Sequence, residues 1–212
     1  MASQALKDFE TLMISVDDLI GIHGRVQTGK GRRHGQEALH KAGVVLTIAA
    51  WQSYIEKLCI EALAAIETNF TNPPPSHAVP SWAKSSFYFR KPAVLQSVGS
   101  LNTPNTQNVI RLLDYSFGCN PKADWVWNAP NRKWTSAQFC DRTDEWLRIR
   151  HTVAHGNELP PNLPWIKNAS GKPRLKLSLL EECKRHFDKM ANLTDEAMGE
   201  HLRNHYGLSV DW

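Results

Sequence analysis

The stretch Arg148-Ile149-Arg150-His151-Thr152-Val153-Ala154-His155-Gly156 puts two arginines and two histidines into nine residues. Imidazole exchanges protons near neutral pH, and guanidinium is shaped to grip phosphate oxygens. On a helix, at about 100° per residue, His151 and His155 lie on one face one turn apart, and Arg148 nearly shares that face. Arg150 is turned about 140° from His155 at a rise of about 7.5 Å, a gap its long side chain can cross. His155 falls in the last turn before Gly156, where uncapped carbonyls make the field negative and favour imidazolium. Such a set suits a phosphodiester. The arginines would hold the phosphate and offset charge in the transition state while a histidine moves a proton.

Two other readings stand beside this one. In the first, Arg148 and His151 are surface residues and His155 is a helix cap. In the second, His-x3-His chelates a metal. The zinc-protease pattern HExxH is not met, because Thr152 follows His151, and the other histidines supply no third ligand that can be named. No metal and no cofactor is expected.

The elements that must position these residues read as helices. Residues 4–20 carry Leu6, Phe9, Met13, Val16 and Ile20 at spacings of three and four, an amphipathic pattern. The strongest signal runs from about Gln36 to Asn69. Its middle, GVVLTIAAW, is apolar nearly all round and predicts a helix at the centre of a bundle, with Gly43 allowing close helix–helix approach. The tract NPPPSHAVP stops it. Residues 81–102 leave two assignments open, a strand-like aromatic segment or a short helix starting near Pro92. A helix follows from Thr106 to Phe117, ended by Gly118. NPKADWVWNAPNRKWT reads as a structured loop, after which Thr135 or Ser136 caps the helix that carries the cluster and that Gly156 terminates. A last helical region spans roughly 177–206. The fold class is all-α: one domain over 1–212, about five helices with irregular loop insertions.

With these elements in place, Arg150-His151-Thr152-Val153-Ala154-His155 resembles the R-x4-6-H motif of HEPN domains, and Ala154-His155-Gly156 their small-His-Gly ending. The segment AAWQSYIEKL at 49–58 resembles the W-x-x-(Y/F)-(I/L)-E pattern of the RiboL-PSP-type HEPN subgroup. The resemblance is strongest over residues 36–206. It implies a helical bundle that forms a homodimer, with motif helices of two subunits lining a shared cleft. It also implies a metal-independent endoribonuclease of the toxin–antitoxin or antiphage-defence type, with RNA as substrate and an antitoxin or other defence protein as a further partner. The alternative the family allows is an inactive module that binds RNA or acts as antitoxin or scaffold. Arg150 and His155 match the two defining positions. His151 stands where the family more often has Asn or Asp, which leaves its role open, and Arg148 belongs to no part of the motif.

Further candidates are weaker. Glu56 could hold Arg150 or His155, or pair with Lys57. Arg132 and Lys133, between the tryptophans of DWVWNAPNRKW, could contact substrate, although packing of an irregular insert is the preferred reading. The basic run GKGRRHG, with Lys30, Arg32, Arg33 and His34, could touch phosphates or be a solvated loop.

Bulk properties bound the rest. A formal charge of +4 and a pI near 8.9 are compatible with a nucleic-acid partner without demanding one. No apolar run reaches the roughly 18 residues of a membrane span, and no secretory leader is visible, so a cytoplasmic protein without a membrane partner is expected. Cys59, Cys119, Cys140 and Cys183 form no CxxC pair and read as reduced structural residues.

Overall fold

The apolar run in the middle of the chain sets the architecture. In the computed structural model, which describes residues 2–25, 36–72, 79–208 and 210, it forms α2 (Glu37–Thr71). Val44, Ile48, Trp51, Tyr54, Ile55, Leu58 and Ala62 are all buried along it. A helix apolar on all sides must be enclosed, and the others surround it. These are α1 (Gln4–Arg25), α3 (Ser81–Gly99), α4 (Thr106–Phe117), α5 (Ser136–Ala154) and α6 (Leu177–Tyr206). The fold is all-α, with six helices among the described residues rather than about five. The basic run at 29–35 lies outside the described residues.

Two segments differ from expectation. Residues 81–99 form one continuous helix through Pro92. Pro92 lies on the exposed side, where solvent can hydrate the carbonyl that its missing N–H leaves free. In the tryptophan-rich loop, β1 (Trp127–Ala129) and β2 (Arg132–Trp134) pair antiparallel, Trp127 opposite Trp134 and Ala129 opposite Arg132. Three-residue strands give too short an alternation to be read in advance.

The hairpin is held by an arginine stacked between rings. Arg132 lies 4.8 Å from the Trp127 ring centre and 4.3 Å from that of Trp134, and it donates to Glu182 at 3.2 Å. Beneath it His186 is fully buried, its Nε2 2.7 Å from the Thr143 hydroxyl, which itself donates to the Phe139 carbonyl. The arrangement that satisfies all three places the proton on Nε2 and leaves Nδ1 bare. Burial, reinforced by Arg142 and Arg132, pushes the His186 pKa well below its ordinary 6.5. The unfolded chain therefore binds a proton that the folded chain refuses. Stability from this group is complete above about pH 6.5 and falls as pH drops, at up to about 1.4 kcal/mol per pH unit. Denaturation midpoints at pH 7.5 and 5.0 should show this loss in the native protein and a smaller one in His186→Phe.

Close packing elsewhere depends on small residues and buried polar anchors. A Cβ on Gly43 would lie 2.5 Å from Leu180 Cδ1 and 2.7 Å from Cδ2, so α2 and α6 meet closely there and any larger residue must displace the Leu180 side chain. Alanine there gains about 1 kcal/mol of helix propensity. It also overpacks a Leu180 that is 1% exposed, at a cost of about 1–3 kcal/mol. Gly43→Ala should lower stability in chemical denaturation; an increase would mean Leu180 yields freely. At the start of α1, Asp195 of α6 accepts from the Ser3 N–H at 3.0 Å and from the Ser3 hydroxyl. The Tyr54 hydroxyl lies 3.2 Å from the same carboxylate and 3.1 Å from the Ala191 carbonyl. Three helices thus converge on one carboxylate. The four cysteines are buried and free of disulfides. Burial raises their thiols, that of Cys119 to about 12.

Candidate functional site

Helix α5 carries the cluster and is fixed at both ends. Thr135 caps its start, and Gln138 reaches back to complete a capping box. At the other end Gly156 takes φ 67°, with Gly156 N–H on the Val153 carbonyl at 3.2 Å and Asn157 N–H on that of Thr152 at 2.8 Å. His155 N–H bonds the His151 carbonyl at 3.1 Å. This is the Schellman geometry, and it corrects one expectation: the carbonyls of residues 151–153 are capped by backbone N–H groups. The body of the helix is anchored by buried Phe139, Thr143, Trp146 and Ile149. Trp165 packs on Trp146, donates to Glu145 at 2.8 Å and carries Arg142 over its ring at 4.1 Å.

The exposed turns then present what the spacing predicts. The His151 and His155 rings have centroids 4.4 Å apart and planes inclined at 54°, and both residues face solvent. Arg150 is half-buried, and its Nε is buried without a hydrogen-bond partner among the described residues. A buried donor left without an acceptor is a cost to the free protein. Arg148 is exposed and donates through Nη2 to Asn162 Oδ1 at 3.1 Å.

Beside this helix end lies an open groove of about 560 Å³, to which Arg148, His151 and Thr152 contribute one side. The segment 158–162 and the start of α4 form the remainder. Asp144 ties α4 to α5 by accepting from the Thr106 N–H and hydroxyl, each at 2.9 Å. Asn105 and Glu158 also line the groove and were not among the residues the sequence singled out. Asn105 carries a cap signal, an Asn directly before the helix at Thr106, but the other wall depends on a fold-back that no local pattern announces.

The remaining candidates are placed elsewhere. Glu56 accepts from Gln52 Nε2 at 3.0 Å, and Gln52 also bonds the Leu101 carbonyl at 2.8 Å. Glu56 therefore meets neither Arg150 nor His155. Nor does it pair with Lys57, which bonds Asp8 at 2.6 Å. Arg132 is engaged by Glu182 and the two indoles. Lys133 is exposed on the hairpin. Among the described residues no group of three or more His, Cys, Asp or Glu is arranged to hold a metal ion, and no helix is long and apolar enough to cross a membrane.

Neither a curated protein nor a solved structure matches the chain. A family model described as RiboL-PSP-HEPN does match, over residues 10–200, taking in most of α1 as well as the central helix, α5 and nearly all of α6. The all-α architecture is consistent with that match, which covers most of the chain, and the chain belongs to the RiboL-PSP-HEPN family.

Proposed function

We propose that this protein is a metal-independent endoribonuclease that cuts RNA by internal attack of a ribose 2′-hydroxyl. The observation that carries the reading is the pair of exposed, touching imidazoles at the end of α5, on the same helix as the half-buried Arg150. In the reaction the 2′-oxygen forms a bond to the adjacent phosphorus and the bond from phosphorus to the 5′-oxygen breaks. One histidine takes the 2′-hydroxyl proton and another gives a proton to the leaving 5′-oxygen. The products are a 2′,3′-cyclic phosphate and a 5′-hydroxyl. His155 is assigned the base or acid role and His151 is the nearest second imidazole. Arg150 offsets the charge that gathers on the phosphoryl oxygens, and Arg148 holds a neighbouring phosphate.

The site works as a composite between two copies of the chain, so that His155 of each copy can take opposite proton-transfer roles. We infer a toxin or antiphage-defence setting, with an antitoxin or defence-system protein as further partner, from the family alone. The test is purified protein on RNA in EDTA. Cleavage yielding cyclic-phosphate ends, lost in His155→Ala with the oligomeric state unchanged, supports the reading. Cleavage that needs an added metal, or that survives His155→Ala undiminished, refutes it.

A further inference from the structure

The groove beside α5 has a volume, about 560 Å³, within the about 300–1,000 Å³ typical of sites for small organic ligands. Its apolar surface comes from Leu147, Pro160 and Pro161, a branched chain and two rigid rings on which the face of a base can pack. Its polar groups can be sorted by what they still have to offer. Each oxygen of Asp144 already accepts one hydrogen bond from Thr106. The Asn105 side-chain oxygen accepts from the Asn108 N–H at 2.7 Å, and that of Asn162 accepts from Arg148 at 3.1 Å. Each asparagine also keeps its NH2 group, a donor, unengaged among the described residues. Glu158 is the opposite case. It is exposed at the groove, and among the described residues neither of its oxygens has a hydrogen-bond or ion-pair partner.

One carboxylate with two open acceptor oxygens, accompanied by two amide donors, is a specific request. Of the four RNA bases only guanine presents two neighbouring N–H donors, N1–H and N2–H, to the two oxygens of a carboxylate. It also carries O6 and N7 as acceptors for flanking amides. Adenine, cytosine and uracil each have a single donor group on that edge. The negative charge of Glu158 also turns a phosphate away, so the base enters the groove and the backbone stays with the arginines.

We propose that this groove is a guanine subsite, in which Glu158 reads the base edge and fixes which nucleotide is presented to His151 at its rim. The assignment of the bound base as part of RNA rests on the ribonuclease reading above. Calorimetric titration with 3′-GMP, 3′-AMP, 3′-CMP and 3′-UMP needs no cleavage and tests the subsite directly. The expected result is binding of 3′-GMP at least about tenfold tighter than of the others, the discrimination of one good bidentate contact. Glu158→Gln, which turns one acceptor into a donor, should abolish that preference while circular dichroism and the other three affinities stay unchanged. Equal affinity for all four, no binding, or a guanine preference that survives Glu158→Gln overturns the proposal. Mapping of cuts in mixed-sequence RNA separates the two readings. Cleavage indifferent to guanine removes the subsite and leaves the nuclease; selective 3′-GMP binding by a protein that cuts no RNA removes the nuclease and leaves the subsite.

Discussion

Arg150→Ala should lower RNA cleavage by about 10²–10³-fold, and His155→Ala by about 10²–10⁴-fold, in single-turnover assays. The two substitutions differ in what else they change. Among the described residues the buried Nε of Arg150 has no partner, so removing its side chain relieves an unsatisfied polar group. Thermal stability of Arg150→Ala should therefore hold or rise while activity falls. A residue kept at a cost to the free protein and needed only when an anion is present behaves in that way. Lysine at 150 should restore little, because an ammonium cannot reproduce the planar two-pronged contact. His155→Ala should in addition remove one limb of the pH–rate profile, which an indirect structural role would leave in place. If Arg150→Ala unfolds the protein, or cuts RNA at the native rate, the guanidinium belongs to the scaffold.

Asp195→Ala should be the most damaging single change to the fold among polar positions, by about 2–4 kcal/mol in denaturant titration. Asp195 is 3% exposed, and its carboxylate serves Ser3 and Tyr54 together. Burial is the main influence on its acidity and raises its pKa above the ordinary 3.8, against the lowering effect of those hydrogen bonds. Alanine leaves the Ser3 N–H without its acceptor, in a position that is 1% exposed. Ser3→Ala should cost less, about 1 kcal/mol. The Ser3 hydroxyl also accepts from the Leu6 N–H at 2.9 Å, but its loss does not strand a buried carboxylate of all partners. Comparable losses from the two substitutions would show that helix capping, rather than the carboxylate, secures the N-terminus.

What the sequence disclosed and what it withheld follow a physical boundary. The limits of α4 and α6 agree with the sequence reading because Gly118 and Gly207 stop them in the left-handed conformation and Asn105 caps α4. The enclosed position of α2 is legible from an apolar run with no polar face. His151 and His155 on one face follow from helix geometry alone. Each of these rests on neighbours within about a turn. The continuous helix through Pro92 does not, since it depends on which side of α3 faces solvent. The engagement of Arg132 is equally remote, because Glu182 lies fifty residues away. The groove is the clearest case. Residues 103–105, 144–152 and 158–162 form it only once α4, α5 and the following loop are assembled.

The buried thiols have a practical consequence. With all four native cysteines enclosed and held protonated, alkylating labels find no reactive sulfur on the intact chain. A single cysteine introduced on an exposed turn would be the sole handle for a spin label or crosslinker. Whether two copies of the chain associate in solution could then be read against a silent background.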